Sequence, residues 1–300
     1  MNALSFGQHS KTICCVVDTE CCFKNKDTHG MVYHFGAVFG DLEQEYSFHT
    51  LNMDYYVKEV ISDIDNLFFK NKEGNAYGTN PAMKNALKDA IENPYKVKPW
   101  KDIIAEFNDK INSMGVDYIT SYNFNFDIGT GDKVGTIRRT HQQLTDKTFY
   151  LPRGVEHFCL MDIVANKMAN KDFYAWIKTL DKDDLDQMTT EKGNLSYSAQ
   201  TMLRFLSKDL YYIEQHTALR DALMEFRLAM HCWKNWRADI KRHFVNNVKP
   251  NNGGSIINIG SDLSILSPNH EIYKNKKKNF LKPISYSVIK HGLVGLNKYF

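Results

Sequence analysis

Three apolar runs in the first fifty or so residues have the composition of β-strands. Residues 11–18 carry Ile, Val and Cys almost in succession, residues 31–39 are rich in β-branched and aromatic side chains, and residues 45–51 follow a short polar turn. Side chains of these types are enriched in strands. Because the connections between the runs are short, we expect the three strands to pair as an antiparallel meander.

The spacing of apolar residues then changes from that of a strand to that of a helix. Between residues 57 and 114, apolar side chains recur every three or four positions in three successive segments. These segments predict helices that begin near Val57, Pro81 and Trp100. The third is expected to end at Gly115, because glycine is common just past the end of a helix.

The second half of the chain alternates short apolar runs with helical periods. Residues 118–122 and 157–161 predict two further strands, and helical spacing predicts helices over residues 162–168, 199–206 and 219–230. The helix over residues 199–206 is expected to be capped by Ser198 or Ser196. Residues 129–156 show no clear period, and the acidic stretch 181–186 is interpreted as a solvated loop. A meander followed by alternating helices and strands predicts an α/β fold with a mixed five-stranded sheet flanked by helices.

Charge is unevenly distributed along the 300-residue chain. The net charge is +3, but residues 231–300 contain 12 Lys or Arg and 3 Asp or Glu, whereas residues 1–230 contain 26 and 32. Residues 246–255 are typical of a linker, and residues 273–280 place four lysines between aromatic side chains, a pattern that suits a phosphate backbone. We therefore expect a main domain over residues 1–245 and a basic extension over residues 246–300.

Cysteine usage and hydropathy indicate the type of compartment. The six cysteines include two adjacent pairs inside apolar stretches and no CxxC spacing, so we expect reduced, buried thiols. The N-terminus lacks a basic region followed by an apolar one, and no apolar run reaches 18 residues. These features predict a soluble cytoplasmic protein with no membrane association.

Two carboxylates follow the first apolar run. Asp18 and Glu20 are two positions apart, and side chains with that spacing in a strand leave the same face. Two like charges held close together raise each other's pKa unless a cation lies between them. Carboxylate oxygens are hard ligands, which favour Mg²⁺ or Mn²⁺. The pair is therefore a candidate metal site.

Two later segments add acidic residues and a histidine. Asp127 follows the fourth predicted strand, with Asn123 four positions before it. His216 precedes Asp221 by five positions, a spacing that would place them on different faces of a continuous helix. The two side chains can converge only if His216 lies just before the helix, with Thr217 as the N-cap.

Taken in order, these three motifs resemble those of the DEDDh family of 3′–5′ exonucleases. That family includes the proofreading subunits of bacterial replicative polymerases, ribonuclease T and oligoribonuclease. The resemblance covers roughly residues 11–230 and implies a ribonuclease H-like fold, here with insertions around residues 70–100, 129–156 and 170–195. In the family the first motif usually continues with small residues, whereas this chain continues with Cys21, Cys22 and Phe23.

The resemblance also implies a chemistry. Two divalent ions, Mg²⁺ or Mn²⁺, would be held by four carboxylates, and the histidine His216 would act as general base for the attacking water. A nucleoside 5′-monophosphate would leave from a single-stranded 3′ end, with DNA slightly favoured over RNA. Expected substrate contacts come from Thr19, Phe23 and Asn123. The expected metal ligands are Asp18, Glu20, Asp127 and Asp221.

Three further interpretations stay open. The chain could be a catalytically silent nuclease-fold module that binds nucleic acid or serves as a scaffold, or an endonuclease of the ribonuclease H type. His216 favours the exonuclease, because binding alone does not require it. The basic extension could contact a polymerase or another replication or repair protein.

Overall fold

The computed structural model describes residues 11–22, 30–44, 50–62, 81–129, 134–152, 154–190, 192–248, 274–275 and 278–279. Contacts group the chain into two units, Met1–Val245 and Asn246–Phe300. In the second unit, the described residues form a two-stranded antiparallel ladder. Its strands are β7 (Lys274–Asn275) and β8 (Lys278–Asn279).

Among the described residues of the first unit, six strands form one mixed sheet. They are β1 (Ile13–Cys22), β2 (Met31–Asp41), β3 (Leu51–Val57), β4 (Val97–Lys98), β5 (Tyr118–Ser121) and β6 (Glu156–Cys159). The order across the sheet is β4-β3-β2-β1-β5-β6. β1, β2 and β3 pair antiparallel, whereas β5 is parallel to both β1 and β6. The carboxyl ends of β1, β5 and β6 therefore lie along one edge.

The helices lie on both sides of this sheet. They are α1 (Lys58–Ile61), α2 (Pro81–Glu92), α3 (Trp100–Met114), α4 (Phe124–Asp127), α5 (Thr136–Thr145), α6 (Leu160–Ile163), α7 (Lys171–Ile177), α8 (Lys182–Asp186), α9 (Ala199–Ser207) and α10 (Ala218–Val248). A 3-10 turn over Pro94–Lys96 precedes β4, and a π-helical turn over Val164–Met168 follows α6. Helix α10 is kinked at Trp236, whose backbone is not helical.

Two hydrophobic cores lie on opposite faces of the sheet. Along β1, Cys15 and Val17 belong to the core that α3 completes, and Cys14 and Val16 belong to the core that α10 completes. Successive side chains of a strand point to opposite faces, so a strand covered on both sides reads as a continuous apolar run. This arrangement explains the uninterrupted apolar start of β1.

The predicted class, a mixed sheet flanked by helices, is confirmed. The ends of two helices are also as predicted. Gly115 ends α3 with a left-handed φ of 63°, and the Ser198 hydroxyl caps α9 by accepting from the amide of Thr201 at 3.2 Å. The six cysteines all fall in described residues and are free thiols, five of them buried.

Several predicted bounds were wrong. The third strand, β3, spans Leu51–Val57 instead of residues 45–51, of which 45–49 lie outside the described residues. The helix expected to begin near Val57 begins at Lys58, as α1. In the described part of the chain the sheet has six strands instead of five, because a two-residue strand, β4, pairs in parallel with the end of β3. Residues 136–145 form a helix, and the acidic stretch forms the short helix α8, whose first turn is capped by the carboxylate of Asp181.

Within the described ranges, no helix is both long and apolar enough to cross a lipid bilayer.

Candidate active site

Asp18 and Glu20 lie in the second half of β1, two positions apart, so both side chains leave the same face of the sheet. In the β1–β2 ladder Asp18 is opposite Gly36, and Glu20 is opposite His34. The strand continues through Cys22, which corrects the expectation that the carboxylates come after its last residue. Residues of β1 therefore both precede and follow the two carboxylates.

Asp127 ends α4, the single helical turn that follows β5. The side chain of Asp127 is buried, and its Oδ1 accepts a hydrogen bond of 2.6 Å from the hydroxyl of Thr19. The hydroxyl of Thr136 lies 2.9 Å from that of Thr19 and donates to the carbonyl oxygen of Asp127. Because Thr19 separates Asp18 from Glu20, these bonds fix Asp127 against the same stretch of β1.

His216 and Asp221 come from the start of α10. The helix begins at Ala218, and His216 adopts a left-handed φ of 50° immediately before it. The backbone therefore turns at His216, so that its ring, exposed to solvent, returns towards the buried Asp221. One ligand atom from each of Glu20, His216 and Asp221 lies within 4.8 Å of the others. The five-residue spacing thus brings the two side chains together, because His216 is outside the helix.

The carboxyl groups of the cluster resist ionisation. Burial raises the pKa of Asp18 well above its usual range, and the charges of Glu225 and Asp127 add to this effect. Burial likewise raises the pKa of Asp127 to about 7, although Thr19 donates a hydrogen bond to it. The pKa of Asp221 is raised to about 7 by burial and by the charge of Glu214. In the absence of a cation, the cluster holds protons that isolated carboxyls would release.

Glu20 has a different environment from the other acidic residues. Its burial raises the pKa of the carboxyl, and the neighbouring rings of His216 and His34 partly oppose that effect. The charges of two histidine rings therefore act on the carboxyl of Glu20.

Two acidic residues of the cluster were missed by the sequence analysis. Glu225 is buried, accepts a hydrogen bond of 3.0 Å from the amide of Tyr122, and has a pKa raised well above normal by burial and by Asp127. Its position four residues after Asp221 places both on one face of α10, which is a signal that the sequence contained. Glu214 lies in the loop before His216, where only the folded chain indicates its proximity to the site.

The donor set suits a hard divalent cation. Several carboxylates surround one small volume, and oxygen ligands of this kind are preferred by Mg²⁺ and Mn²⁺. In addition, Oδ1 of Asp221 is buried and has no hydrogen-bond partner among the residues that the structure describes. A buried oxygen without a partner costs free energy, and a cation would satisfy it.

The structure describes two of the three residues expected to contact substrate, and those contacts stay predictions. Thr19 is buried, and its hydroxyl is engaged with Asp127 and Thr136, so its side chain supports Asp127. Asn123 is exposed immediately before α4, where its carbonyl accepts from the amides of Phe126 and Asp127. Phe23 lies outside the described residues.

No protein-family model and no curated protein matches this chain. Solved structures that are similar to this chain include those of three nucleases. The nuclease domain of 3′hExo, a DEDDh family member in a structure bound to rAMP, is 11% identical, and the alignment covers 76% of this chain and 94% of that one, with a TM-score of 0.46.

Cell-death related nuclease 4 is 13% identical over 75% of this chain and 64% of its own, with a TM-score of 0.44. Exonuclease I of E. coli, in complex with a 5cy-dT13 oligonucleotide, is 14% identical over 77% of this chain and 42% of its own, with a TM-score of 0.43. At these scores, function has to be inferred from the side chains of the site itself.

Proposed function

We propose that this protein is a divalent-metal-dependent 3′–5′ exonuclease that releases nucleoside 5′-monophosphates from single-stranded nucleic acid. The observation that carries the proposal is the grouping of four carboxylates and one histidine around the carboxyl ends of β1 and β5 and the start of α10. The acidic residues are Asp18, Glu20, Asp127 and Asp221, and the histidine is His216.

The carboxylates would hold the metal ions. Asp18 and Glu20 come from one strand, and Asp127 and Asp221 approach from α4 and α10, so the four side chains can surround ions from different sides. When bound, Mg²⁺ or Mn²⁺ supplies a nucleophilic water at neutral pH and stabilises charge on the departing oxygen. The neutralising cations would also lower the pKa values that burial raises in this cluster.

The protein's own side chains would prepare and orient the reaction. His216 is exposed next to Glu20 and Asp221, where its ring nitrogen can accept the proton of the attacking water. Thr19 and Thr136 keep Asp127 in place through the hydrogen bonds described above. Phe23 and Asn123 are proposed to contact the terminal nucleotide, with DNA slightly favoured over RNA.

The test compares three substitutions on 5′-labelled single-stranded DNA and RNA of equal sequence, with Mg²⁺ or Mn²⁺ added. Asp18→Asn keeps the shape of the side chain and should abolish release of mononucleotides. His216→Asn should lower kcat by about 10²–10⁴-fold, less than the loss of a metal ligand, because it removes only base catalysis. Asp109→Asn, an exposed carboxylate of α3, is the matched control and should leave cleavage unchanged.

Three results would contradict the proposal. Full activity of Asp18→Asn would exclude the carboxylate cluster from the chemistry. A wild-type protein that binds single-stranded ends but never cleaves them would favour a silent binding module. Digestion of a circular single strand would instead indicate an endonuclease.

A further inference from the structure

The start of α10 has an unusual cap. The first amides of a helix lack partners inside the helix, and a side chain at the preceding position commonly accepts from them. Here the hydroxyl of Thr217, at that position, has no hydrogen-bond partner in the described part of the chain. Instead the amide of Ala218 donates to Nδ1 of His34, a residue of β2, at 3.4 Å. The cap of this helix therefore comes from a different element.

The tautomer of His34 is set by Asp54. Nε2 of His34 lies 2.7 Å from Oδ1 of Asp54, and the other carboxylate oxygen lies 2.8 Å from Nζ of Lys96. An ionised carboxylate can only accept hydrogen bonds, so Nε2 must carry the proton. In a neutral ring the other nitrogen, Nδ1, is then an acceptor, as the amide of Ala218 requires.

Asp54 is kept in its ionised form by its partners. Burial raises the pKa of this carboxyl, but hydrogen bonds from His34 and Lys96 more than compensate and leave it below its usual value. Lys96 also bonds to Asp89, which accepts from the hydroxyl of Tyr56. The network reaches from β2 through β3 to α2, and so it fixes Asp54 relative to the sheet.

The ring of His34 has little freedom to move. It is 2% exposed and stacks on the ring of Tyr56 with a centroid distance of 4.3 Å. Gly36 lies two positions after His34 in β2 and contacts the same turn of α10. A Cβ atom at Gly36 would lie 2.3 Å from the carbonyl carbon of Ala218. The first turn of α10 thus rests directly on β2.

We propose that His34, oriented by Asp54, is a positioning residue that fixes the start of α10 and thereby the placement of His216 and Asp221. His216 lies two residues before the capped amide, and Asp221 lies three residues after it. The inference rests on the proposed function for its catalytic consequence. Because His34 acts on the site only through the backbone of α10, its loss should affect kcat more than KM.

Asp54→Asn tests this link without removing the ring. The side-chain amide of the new asparagine can donate to Nε2 of His34, which allows the ring proton to move to Nδ1. The backbone amide of Ala218 then loses its acceptor. We expect kcat to fall by about 10- to 100-fold with KM within about twofold, since small displacements of catalytic groups have effects of that size. Hydrogen exchange over residues 216–222 should become faster.

Glu106→Gln is the matched control. Glu106 also pairs with a lysine, Lys98 at 2.7 Å, and accepts from the hydroxyl of Tyr55. It lies on α3, and among the described residues it makes no hydrogen bond or ion pair to α10. A comparable loss of stability is expected in this variant, with kcat and hydrogen exchange over residues 216–222 unchanged. The pair of variants separates positioning from general destabilisation.

The tautomer of His34 provides a readout independent of cleavage. In ¹⁵N-histidine spectra of the wild-type protein, with His34 assigned by its absence in His34→Gln, we expect the proton on Nε2, and a shift towards Nδ1 in Asp54→Asn. A wild-type ring protonated on Nδ1, or an Asp54→Asn variant with wild-type kcat and hydrogen exchange, would overturn the proposal. If the wild-type protein cleaves nothing, the proposed function fails, whereas the tautomer and the hydrogen exchange still decide whether His34 holds α10.

Discussion

At the scale of single residues, the site is a cluster of buried acidic groups. Asp127 and Asp221 are each at most 3% exposed, and Glu225 is equally buried beside them. Buried carboxylates without counter-charges are costly, and they hold protons until the pH rises well above their usual pKa. The metal-free protein should therefore become less stable as these groups ionise.

The raised pKa values should make the stability of the metal-free protein depend on pH. The unfolded pKa of Asp is about 3.9, and the pKa values of Asp127 and Asp221 in the folded protein are about 7. Between these values the folded state binds more protons than the unfolded state, so stability falls as pH rises from about 4 through about 7. Without metal, Asp127→Asn/Asp221→Asn should be more stable than wild type at pH 8 by several kcal/mol, because a pKa difference of one unit corresponds to about 1.4 kcal/mol, and it should be similar to wild type near pH 4.

Thermal denaturation with and without Mg²⁺ or Mn²⁺ measures the effect. The cations should stabilise the wild-type protein at pH 8 and leave the double variant nearly unchanged, because ligand binding stabilises only the state that binds it. A difference between the two proteins that is independent of both pH and cation would contradict the electrostatic account of the cluster.

The sequence was informative about some of these residues and silent about others. Asp18, Glu20, Asp127, His216 and Asp221 were identified from their motifs, and their side chains lie together in the folded chain. Their roles as ligands and base stay predictions. Glu214 has no motif or periodicity of its own; its closeness to Asp221 depends on the path of the loop before α10.

At the scale of elements, the sequence predicted helices well where one face was clearly apolar. The bounds of α3 follow its apolar period and Gly115. The start of β3 was missed because its residues, LNMDYYV, lack strict alternation, and because Val57 fits a strand end as well as a helix start. The two-residue β4 is too short for any sequence pattern, since it exists only by pairing with β3.

The contact between β2 and α10 predicts a difference between two glycines. Gly36→Ala should destabilise the protein by about 1–3 kcal/mol and lower activity, because its methyl group would displace the backbone of Ala218. Gly115→Ala should cost about 1–2 kcal/mol, because the residue has a left-handed φ of 63°, although its Cβ would meet nothing within 4 Å.

Chemical denaturation and steady-state cleavage measure both variants. Since Gly115 ends α3 on the other side of the sheet, its variant should keep kcat. Loss of kcat in both variants, or in neither, would show that the approach of α10 to β2 does not determine the geometry of the site.

At the scale of the whole molecule, the site depends on topology. Its residues are separated by about two hundred positions in sequence, yet β1 and β5 are neighbouring parallel strands, so Asp18 and Asp127 reach the same edge. The first turn of α10 packs against that part of the sheet at Gly36 of β2. A sequence motif can indicate that such residues belong together, but it does not contain the crossing of α10 over β2, which depends on long-range packing.

The basic extension has an excess of positive charge, and its contact with a polymerase or another replication or repair protein stays a prediction. Residues 249–300 contain eight Lys and Arg residues and two acidic ones. We expect a chain ended after Val248, the last residue of α10, to keep the kcat of the full chain on short oligonucleotides and to bind long single-stranded DNA more weakly at low salt. The slope of log Kd against log salt should decrease by about 0.7 for each phosphate that the shortened chain no longer neutralises.

In the full chain, replacing Lys276, Lys277 and Lys278 by Gln should reproduce part of this decrease. An unchanged salt slope in the shortened chain would show that the extension does not bind the nucleic acid backbone, since a protein that neutralises fewer phosphates must release fewer counterions.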